Sequence, residues 1–329
     1  MFDYKMSIVV PTLNNGSIIT DFFERIKKQN YPKEILEILV IDGGSTDDTI
    51  KIARQYGAKV IINPYVLAEP AVNIGMENAK GEIIVLLATD NFLEDGDSLK
   101  KIEKVFDNPE IYAAFPKQDS DQSDTIFSKY VNTFTDPFNH FVYGCASNSR
   151  TFKKIYKIFD QNELYDIYDY SSHSVKPVIA FAQGFSIRGG YKRDENDTFD
   201  DFLPIIKLIE NRKKIAYIHS IPLYHHTIKN LRHFIKKQRW ATRNVLSNKN
   251  YGINYRLKYL TLSQKIKIKL WPFYAFSIIL PVAQSLYGLS RDGEVIWLLH
   301  PVMCFVSAAS SVREYFNYIL NKEKIVSRQ

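Results

Sequence analysis

Short strand-like runs alternate with amphipathic helical runs through the first 115 residues of the chain. The strand-like runs, rich in Val and Ile, lie at residues 7–10, 35–41, 59–62, 82–87 and 111–115. The helical runs between them lie at residues 18–28, 46–56, 68–79 and 97–106. This alternation is typical of a mostly parallel sheet covered by helices, because parallel strands need a crossover that is usually a helix. The sequence therefore predicts an α/β fold with a Rossmann-like sheet and flanking helices.

Polar residues follow three of these predicted strands at the point where each strand stops, at residues 11–15, 42–48 and 88–91. In open α/β sheets, ligands bind beyond the carboxyl ends of the strands. We therefore expect these three loops to converge on one edge of the sheet and to form a binding site there.

The composition is that of an ordinary folded protein. Of its 329 residues, 45% are hydrophobic and 24% are charged, which excludes a disordered, collagenous or low-complexity chain. Cys145 and Cys304 are too few and too far apart for a disulfide framework or a zinc ribbon, so a reducing compartment is expected. The first seven residues include Asp3 and Lys5 and lack the apolar region of a secretory signal. We therefore expect the bulk of the chain to lie in the cytoplasm.

Positive charge is concentrated in one stretch of the chain. Residues 227–269 contain twelve Lys or Arg and no Asp or Glu, whereas the chain before residue 227 carries a net charge of −6 within a total of +7. Aromatic and aliphatic residues are interleaved with these cations, a pattern found at nucleic-acid surfaces and at anionic membrane surfaces. The residues that follow favour the membrane, and no nucleic-acid partner is expected.

Two apolar runs follow the basic stretch. Residues 271–290 and 295–312 carry no formal charge and are separated by a short polar turn at 291–294. Each run is about long enough to cross a bilayer at roughly 1.5 Å per residue. The pair is therefore expected to be a membrane-inserted or re-entrant hairpin, and the alternative, because both runs contain Pro and polar residues, is a helical hairpin buried in the protein. Lys and Arg flank both outer ends of the pair, which predicts a cell-membrane location with both ends on the cytoplasmic side.

The sequence predicts three parts. Residues 1–226 form the α/β domain, in which the alternation stops at residues 119–176, a Tyr-, Phe- and Asn-rich insertion expected to be partly helical and to cover a site. Residues 227–269 form a basic amphipathic connector, and residues 270–329 form the hydrophobic helical hairpin. Within the first part, a strand is expected to resume at residues 178–188, followed by a helix at 200–210.

Several motifs occur in a fixed order along the α/β domain. They are SIVVPTLN at residues 7–14, QNYP at 29–32, IDGGSTDDT at 41–49, NIG at 73–75 and AKGE at 79–82. In this order they resemble the family 2 glycosyltransferases of the GT-A fold, over roughly residues 6–240. The resemblance implies a nucleotide-sugar donor held at the edge of the sheet, and a divalent cation, Mn²⁺ or Mg²⁺, that neutralises the leaving diphosphate.

The resemblance implies that Asp42 binds the edge of the donor's base and that the loop after the first strand lies against the base as a wall of its site. The donor-binding set that it implies is Pro11, Thr12, Asn14, Asp42, Gly44, Ser45, Asn73, Asp90, Arg239 and Trp240. The alternative for Asp42 is an Asx turn or a helix cap. We also expect Ser45 or Thr46 to cap the helix that follows.

The family's metal-binding D-x-D aligns with Ala88, Thr89 and Asp90, so the first carboxylate is missing. The resemblance implies that the metal ligands are Asp90 and the strand-terminal His225, with the adjacent His226 as the alternative to His225 and a satisfied structural histidine as a further possibility.

The missing carboxylate has to be compensated if a metal is bound. Asn91, Glu94 or Asp95 are candidates for additional ligands, and Arg188 or Arg239 are candidates for sharing the charge of the phosphates.

An inverting transfer to a hydroxyl needs a base that takes the acceptor's proton. In the resembled family this base is the Asp of an acidic pair that opens a helix, which aligns with Asp200 and Asp201. The resemblance therefore assigns the base to Asp201, with Asp197 as the second choice. The alternative is that these residues only cap the helix.

Together these inferences predict a membrane-associated inverting glycosyltransferase that acts on a polyprenyl phosphate or a lipid-linked saccharide. The alternative from another class is a catalytically silent protein that binds a nucleotide sugar or serves as a scaffold at the membrane, which the missing carboxylate at position 88 motivates. A nucleotidyltransferase is disfavoured, because residues 11–16 contain no Lys or Arg for a phosphate loop.

Overall fold

The computed structural model describes residues 3–177, 179, 184–190, 192, 202–247 and 257–326. The chain divides into two compact units. Unit 1 comprises Met1–Ser120 and Asn148–His225, and unit 2 comprises Asp121–Ser147 and His226–Gln329. Each unit is described separately below.

All strands within the described residues belong to unit 1. In chain order they are β1 (Tyr4–Thr12), β2 (Leu36–Asp42), β3 (Lys59–Ile62), β4 (Gly81–Leu86), β5 (Asn91–Leu93), β6 (Ile111–Asp119), β7 (Lys157–Gln161), β8 (Asp166–Asp169), β9 (Ser186–Arg188) and β10 (Lys214–His225).

The helices are distributed over both units. In chain order they are α1 (Ile19–Lys27), α2 (Thr49–Gln55), α3 (Ala68–Asn78), α4 (Ser98–Val105), α5 (Ile126–Phe134), α6 (Pro137–Tyr143), α7 (Leu203–Glu210), α8 (Leu231–Ser247), α9 (Leu262–Ser277), α10 (Ile279–Asp292) and α11 (His300–Val326). Short 3₁₀ helices lie at Lys33–Ile35, Gly144–Ser147, Ser149–Lys154, Leu257–Tyr259 and Val295–Leu299.

In the described part of unit 1 the strands form one mixed sheet in the order β3-β2-β1-β4-β9-β6-β10-β8-β7, with β5 paired to β10. The strands β3, β2, β1 and β4 form one group in which neighbours are parallel, and β6 and β10 form a second parallel pair. β9 is antiparallel to both β4 and β6 and so joins the two parallel groups. The predicted α/β class is confirmed, and the predicted elements up to residue 115 match the observed ones within three residues at each end, except that β6 ends at Asp119, four residues later than predicted.

Apolar spacing explains how the helices cover this sheet. In α1, Ile19, Phe22, Phe23 and Ile26 are buried, which is the i, i+3, i+4, i+7 spacing of one helix face. α3 approaches the sheet more closely, because a Cβ on Gly75 would lie 2.1 Å from Cγ1 of Val9 on β1. A side chain at position 75 would therefore push α3 away from the strand beside which the candidate site lies.

The stretch at residues 119–176 is only partly as expected. It contains the two helices α5 and α6, but also the antiparallel hairpin β7–β8, which extends the sheet next to β10. The sequence did not predict this hairpin, because β7 is exposed along its whole length and has no buried apolar face. The stretch also divides between the units after Ser147. Of the strand expected at residues 178–188, the structure describes Ser186–Arg188 as β9.

Unit 2 is helical in its described part. Phe138 and Phe141 of α6 pack on Trp271 and Tyr274 of α9, in a cluster that also includes Cys304 of α11. The aromatic helices of the insertion therefore pack among the C-terminal apolar helices.

The C-terminal apolar helices are present as predicted. The segment Val295–Leu320 is long and apolar enough to cross a membrane, a property shared by core helices of soluble proteins. α9 and α10 together pass the same test, but they meet at an angle of 91°, at Ile278, whose φ is +60°.

Candidate functional site

The polar loops of unit 1 begin where parallel strands end. β1 lies between β2 and β4 and is parallel to both, with Thr12 paired to Asp42 and Val9 paired to Leu86. The carboxyl ends of these strands therefore share one edge of the sheet. This is the edge that the sequence predicts for a ligand.

Hydrogen bonds join the loop after β1 to the loop after β2. The Asn14 N–H donates to Oγ of Ser45 at 2.8 Å, and the Thr46 N–H donates to Oδ1 of Asn14 at 2.9 Å. The carbonyl of Thr12 accepts the Gly43 N–H at 2.9 Å. Asn14 has a φ of +52°, a region in which Asn is tolerated better than most residues. The two loops thus form one hydrogen-bonded wall, and Pro11 precedes it as the last but one residue of β1.

Asp42 ends β2 and is only 2% exposed. Its Oδ2 accepts the N–H groups of Gly44 and Ser45, both at 2.9 Å, and its Oδ1 accepts the Ser45 hydroxyl at 2.5 Å. These bonds form the Asx turn that the sequence left open as the alternative for this residue. The turn rigidly orients the carboxylate at the edge of the sheet.

The N-cap residue of α2 is Asp48, which makes no side-chain cap bond, and the side chain that bonds the start of the helix is that of Asp47. Oδ1 of Asp47 accepts the N–H of Thr49, the first residue of the helix, at 3.0 Å, and its hydroxyl at 2.5 Å. The hydrogen bond to Thr49 is the main cause that lowers the pKa of Asp47. Neither Ser45 nor Thr46 caps the helix, because their side chains face Asp42 and Asn14, so that expectation was wrong.

Gly44 has a φ of +95°, which glycine adopts without strain, and no heavy atom lies within 4 Å of the position that a Cβ would take. The backbone at Gly44 therefore faces open space. Asn73, by contrast, is 1% exposed on α3, and its Nδ2 donates to the carbonyl of Glu69 at 3.0 Å. Its amide is thus used within the helix.

Gln29 of the QNYP motif holds the segment that follows β5. Its Nε2 donates to the carbonyls of Leu93 and Asp95 at 3.0 and 2.9 Å, and its Oε1 accepts the Leu99 N–H at 3.3 Å. Because β5 begins directly after Asp90, this buried amide helps to fix the position of the predicted metal ligand.

The structure brings the two predicted metal ligands together. Oδ2 of Asp90, which follows β4, lies 3.4 Å from Nε2 of His225, the last residue of β10. His225 is 7% exposed, and its Nδ1 lies 3.2 Å from Nε2 of Gln118. Asn91 donates to the other carboxylate oxygen of Asp90 at 3.1 Å. Sequence reasoning missed Gln118, for which the only signal was its position near the end of a predicted strand.

Two candidates for additional metal ligands are engaged elsewhere. Glu94 pairs with Arg25, and Asp95 pairs with Lys101, whose hydrogen bond is the main cause that lowers the pKa of Asp95. Asn91 therefore remains the candidate that contacts Asp90.

Arg188 does not reach the phosphate edge. It pairs with Ile83 near the start of β4, at the amino end of the parallel strands, and its guanidinium donates to the carbonyls of Phe106, Asn108 and Ile111. The suggestion that Arg188 shares the charge of the phosphates was wrong, because a strand that runs antiparallel to β4 places Arg188 at the opposite edge.

His226 belongs to a second cluster, at the start of both segments of unit 2. Its Nδ1 lies 2.9 Å from Oδ1 of Asp124 and its Nε2 lies 3.3 Å from Oδ2 of Asp121. One ligand atom from each of the three residues lies within 4.8 Å of the others, which is compact enough for a metal ion. The Asp-x-x-Asp spacing after β6 was the only signal for it in the sequence.

Asp119, the last residue of β6, forms two ion pairs within unit 1. Its carboxylate contacts Nζ of Lys117 and a guanidinium nitrogen of Arg150, both at 2.6 Å. Burial acts to raise the pKa of Asp119, but Lys117, a backbone N–H and Arg150 outweigh it, so the pKa lies below its ordinary value.

Arg239 and Trp240, predicted to bind the donor, lie on α8 in unit 2. Nε of Arg239 donates to Oε2 of the buried Glu314 on α11 at 2.8 Å, and Trp240 is exposed. The guanidinium of Arg239 is thus engaged in an ion pair within this unit. Asp200 and Asp201, and the second choice Asp197, lie outside the described residues.

Comparisons with known proteins agree with this architecture. Residues 7–174, about half of the chain, match the model of Glycosyl transferase family 2. The mannosyltransferase PcManGT from Pyrobaculum calidifontis, solved in complex with GDP-Man and Mn²⁺, shares the fold with a TM-score of 0.55 and 15% identity, over 96% of this chain and 91% of that one.

Curated relatives are similar over shorter segments. The poly(ribitol-phosphate) β-N-acetylglucosaminyltransferase TarS of Staphylococcus aureus is 30% identical over 96 residues, which are 27% of this chain and 17% of that protein. A dolichyl N-acetyl-α-D-glucosaminyl phosphate 3-β-D-2,3-diacetamido-2,3-dideoxy-β-D-glucuronosyltransferase of Methanococcus voltae is 31% identical over 121 residues, which are 35% of this chain and 36% of that protein. The chain thus matches well under half the length of either relative.

Proposed function

The chain belongs to Glycosyl transferase family 2, and on that premise we propose that it is an inverting glycosyltransferase which moves a sugar from a nucleoside diphosphate sugar to an acceptor presented at a membrane. The observation that carries the proposal is the arrangement of one sheet edge. There a wall of two joined loops presents the oriented carboxylate of Asp42, and β4 and β10 supply the Asp90–His225 pair.

The donor nucleotide is assigned to the wall formed by the loops after β1 and β2. The carboxylate of Asp42 accepts hydrogen bonds from N–H donors on a base edge, and Gly44 leaves its backbone open to the ligand. The solved complex of PcManGT, which shares the fold, contains GDP-Man, which supports the assignment of this class of donor.

A divalent cation fits Asp90 and His225, which supply two ligands from the described residues. Adjacent ligands of an octahedral ion with bonds of about 2.1 Å lie about 3 Å apart, close to the 3.4 Å between the Asp90 oxygen and the His225 nitrogen. The amide nitrogen of Gln118 faces Nδ1 of His225; a 180° turn of that amide would bring its oxygen there to accept from Nδ1–H, and the Nε2 lone pair of His225 would then serve as the metal ligand. A cation bound there neutralises charge on the departing diphosphate.

The cluster of Asp121, Asp124 and His226 is the second candidate for holding the cation. It offers more ligands than the Asp90–His225 pair. Its imidazole already has a carboxylate at each nitrogen, however, so a metal would have to displace one of them. We therefore assign the catalytic cation to Asp90 and His225.

Transfer with inversion joins the acceptor oxygen to the anomeric carbon while the bond to the diphosphate oxygen breaks, and the nucleoside diphosphate leaves with that electron pair. For a hydroxyl acceptor, the proton passes to a carboxylate, which we assign to Asp201 with support from Asp200. A lipid phosphate as acceptor is already ionised and needs no base. The Asp201→Asn variant separates the two cases, because retained turnover excludes a proton-abstracting role for Asp201.

The membrane assignment is supported by the charge and the apolar helices of the C-terminal part. Twelve cations at residues 227–269 precede the segment Val295–Leu320, which is long and apolar enough for a membrane helix. The Methanococcus voltae relative is named for a dolichyl phosphate substrate. We place the catalytic unit on the cytoplasmic face, with a polyprenyl phosphate or a lipid-linked saccharide as acceptor.

The test is a turnover assay of the full chain. The purified protein is incubated with UDP-, GDP- and dTDP-sugars and a polyprenyl phosphate or a lipid-linked saccharide, and release of nucleoside diphosphate is measured together with the anomeric configuration of the product. An inverted product supports the proposal. Donor binding by thermal shift without turnover under any of these conditions overturns it in favour of the silent binding protein or scaffold, which the alanine at position 88 favours.

A further inference from the structure

Large apolar side chains on α9 and α10 in unit 2 form an exposed apolar face. On α9 these are Leu262, Ile266, Leu270, Phe273 and Phe276, spaced at three or four residues, and Phe273 is 75% exposed. The opposite face of α9 is buried against the rest of the unit through Trp271, Tyr274 and Ala275. On α10 the exposed set includes Ile279, Leu280, Val282 and Leu286. A monomer in water rarely exposes a face of this size.

Lysines border this apolar face. Lys265 and Lys269 line a groove of about 570 Å³ with Leu257, Leu262, Ile266 and Ile268. An apolar groove with two ammonium groups matches an amphiphile that has an acyl chain and an anionic head group.

Neither α9 nor α10 crosses a bilayer alone. The 16 residues of α9 and the 14 residues of α10 span about 24 and 21 Å at about 1.5 Å per residue, less than the hydrocarbon thickness of about 30 Å. Because they meet at 91°, they do not add up to one straight span. Their shape fits helices that lie in the plane of one leaflet.

α11 is long enough to cross a bilayer, but from Ser307, its eighth residue, it makes polar and charged contacts with α8. Oγ of Ser307 donates to Gln238 at 2.8 Å, and Thr242 donates to Ser311 at 3.0 Å. One turn further along, Glu314 is 2% exposed and accepts hydrogen bonds from Arg239 and Arg243. These hydrogen bonds hold α8 against α11.

A basic helix fastened in this way has to stay at the level of the head groups, since arginines are costly in hydrocarbon. The part that precedes these contacts with α8, residues 295–306, spans only about 20 Å. Beyond it, α11 still exposes apolar residues such as Phe316 and Leu320.

We propose that unit 2 docks on an anionic lipid bilayer through the exposed face of α9, α10 and residues 295–306, and enters one leaflet without crossing it. The turn at residues 291–294 then lies on the same side of the membrane as unit 1. This inference deepens the proposed function, because a face embedded in one leaflet receives a lipid-borne acceptor from within that leaflet.

The first experiment is sedimentation with vesicles of phosphatidylglycerol and phosphatidylcholine. Phe273→Glu is expected to weaken binding at least tenfold, since it removes an exposed aromatic ring that docking would bury in lipid. Lys265→Gln with Lys269→Gln is expected to weaken binding about fivefold for each lysine. The matched control is Ile62→Glu, which changes an equally exposed apolar residue, at 76%, on β3 of unit 1 and is expected to leave binding unchanged. If Phe273→Glu and Ile62→Glu weaken vesicle binding equally, or if Phe273→Glu leaves it unchanged, the proposed docking face is wrong.

The second experiment separates docking in one leaflet from a crossing. Glu294→Cys in the polar turn is treated with a membrane-impermeant maleimide in inside-out vesicles and in intact spheroplasts, with Ile62→Cys as the marker of the cytoplasmic side and the unsubstituted protein as background. Labelling of both variants only in inside-out vesicles is expected. Labelling of position 294 in spheroplasts overturns the proposal in favour of a spanning hairpin. Neither experiment needs turnover. A protein that docks on vesicles without transferring sugar therefore refutes the proposed function but not the docking proposal.

Discussion

Asp90 and His225 face each other across 3.4 Å, from carboxylate oxygen to imidazole nitrogen, although one follows β4 and the other ends β10. Two strands that lie side by side in neither the chain nor the sheet thus deliver an oxygen and a nitrogen donor to one place. β5 makes this possible, because it begins directly after Asp90 and pairs Asn91 with His225.

Replacement of His225 by Ala is expected to raise the Mn²⁺ concentration needed for half-maximal turnover by at least about tenfold, the usual cost of disturbing a metal site. The measurement is turnover against Mn²⁺ concentration. His219→Ala is the matched control, because His219 lies on the same strand and contacts the carbonyl of Asn162 instead. A larger effect from His226→Ala than from His225→Ala would move the cation to the cluster with Asp121 and Asp124.

Replacement of Ala88 by Asp restores the missing carboxylate at a half-buried position. A second acidic oxygen ligand is expected to lower the half-maximal Mn²⁺ concentration about tenfold, or about 1.4 kcal/mol, since the affinity of such sites rises with ligand charge. Mn²⁺ titration of the purified variant, followed by electron paramagnetic resonance of the free ion, checks this. Turnover of the unsubstituted protein that persists in excess chelator contradicts a catalytic cation at this edge.

Asp42 and Asp47 lie close together in the chain, but we expect their substitutions to have different effects. Asp42→Asn keeps a side-chain oxygen for the Asx turn and removes the charge offered to the base, so we expect donor affinity to fall about tenfold with little change in thermal stability. Asp47→Ala removes the hydrogen bonds at the start of α2, so we expect about 1 kcal/mol lower unfolding free energy and unchanged donor affinity. Donor titration and urea unfolding of both variants distinguish the two roles, and the reverse pattern refutes the assignment of Asp42.

The ion pairs of Asp119 predict acid sensitivity of unit 1. Because the folded-state pKa of Asp119 is lowered below its ordinary value of 3.8, its contribution is present above that pH and is lost as the pH falls through the folded-state pKa. Asp119→Asn is therefore expected to lower the unfolding free energy by about 2 kcal/mol at pH 7, with the difference from the parent shrinking below pH 4. Urea unfolding between pH 7 and pH 3 measures it. Asp21→Asn, at an exposed ion pair with Arg25, is the control and is expected to change stability little. A pH-independent difference contradicts the argument.

Local pattern was sufficient for much of the fold. The alternation of strand and helix up to residue 115 was predicted within four residues because most of these elements bury a regular apolar face, as Ile19, Phe22, Phe23 and Ile26 do in α1. The hairpin β7–β8 was missed because an exposed edge strand has no such pattern. The opposite placement of Arg188 was missed because strand direction is a property of the sheet and not of the segment.

For this protein, the order of motifs and the charge and apolar runs were determined by the sequence, since these depend only on neighbours along the chain. Only the tertiary structure decided which of two adjacent histidines faces Asp90, and that Ser45 and Thr46 bond to Asn14 of the loop after β1 instead of capping α2. It also decided that the aromatic helices at residues 126–143 pack among the C-terminal helices. The physical reason is that these outcomes depend on strand register and on packing between distant segments, and a single residue step along a strand turns a side chain to the opposite face.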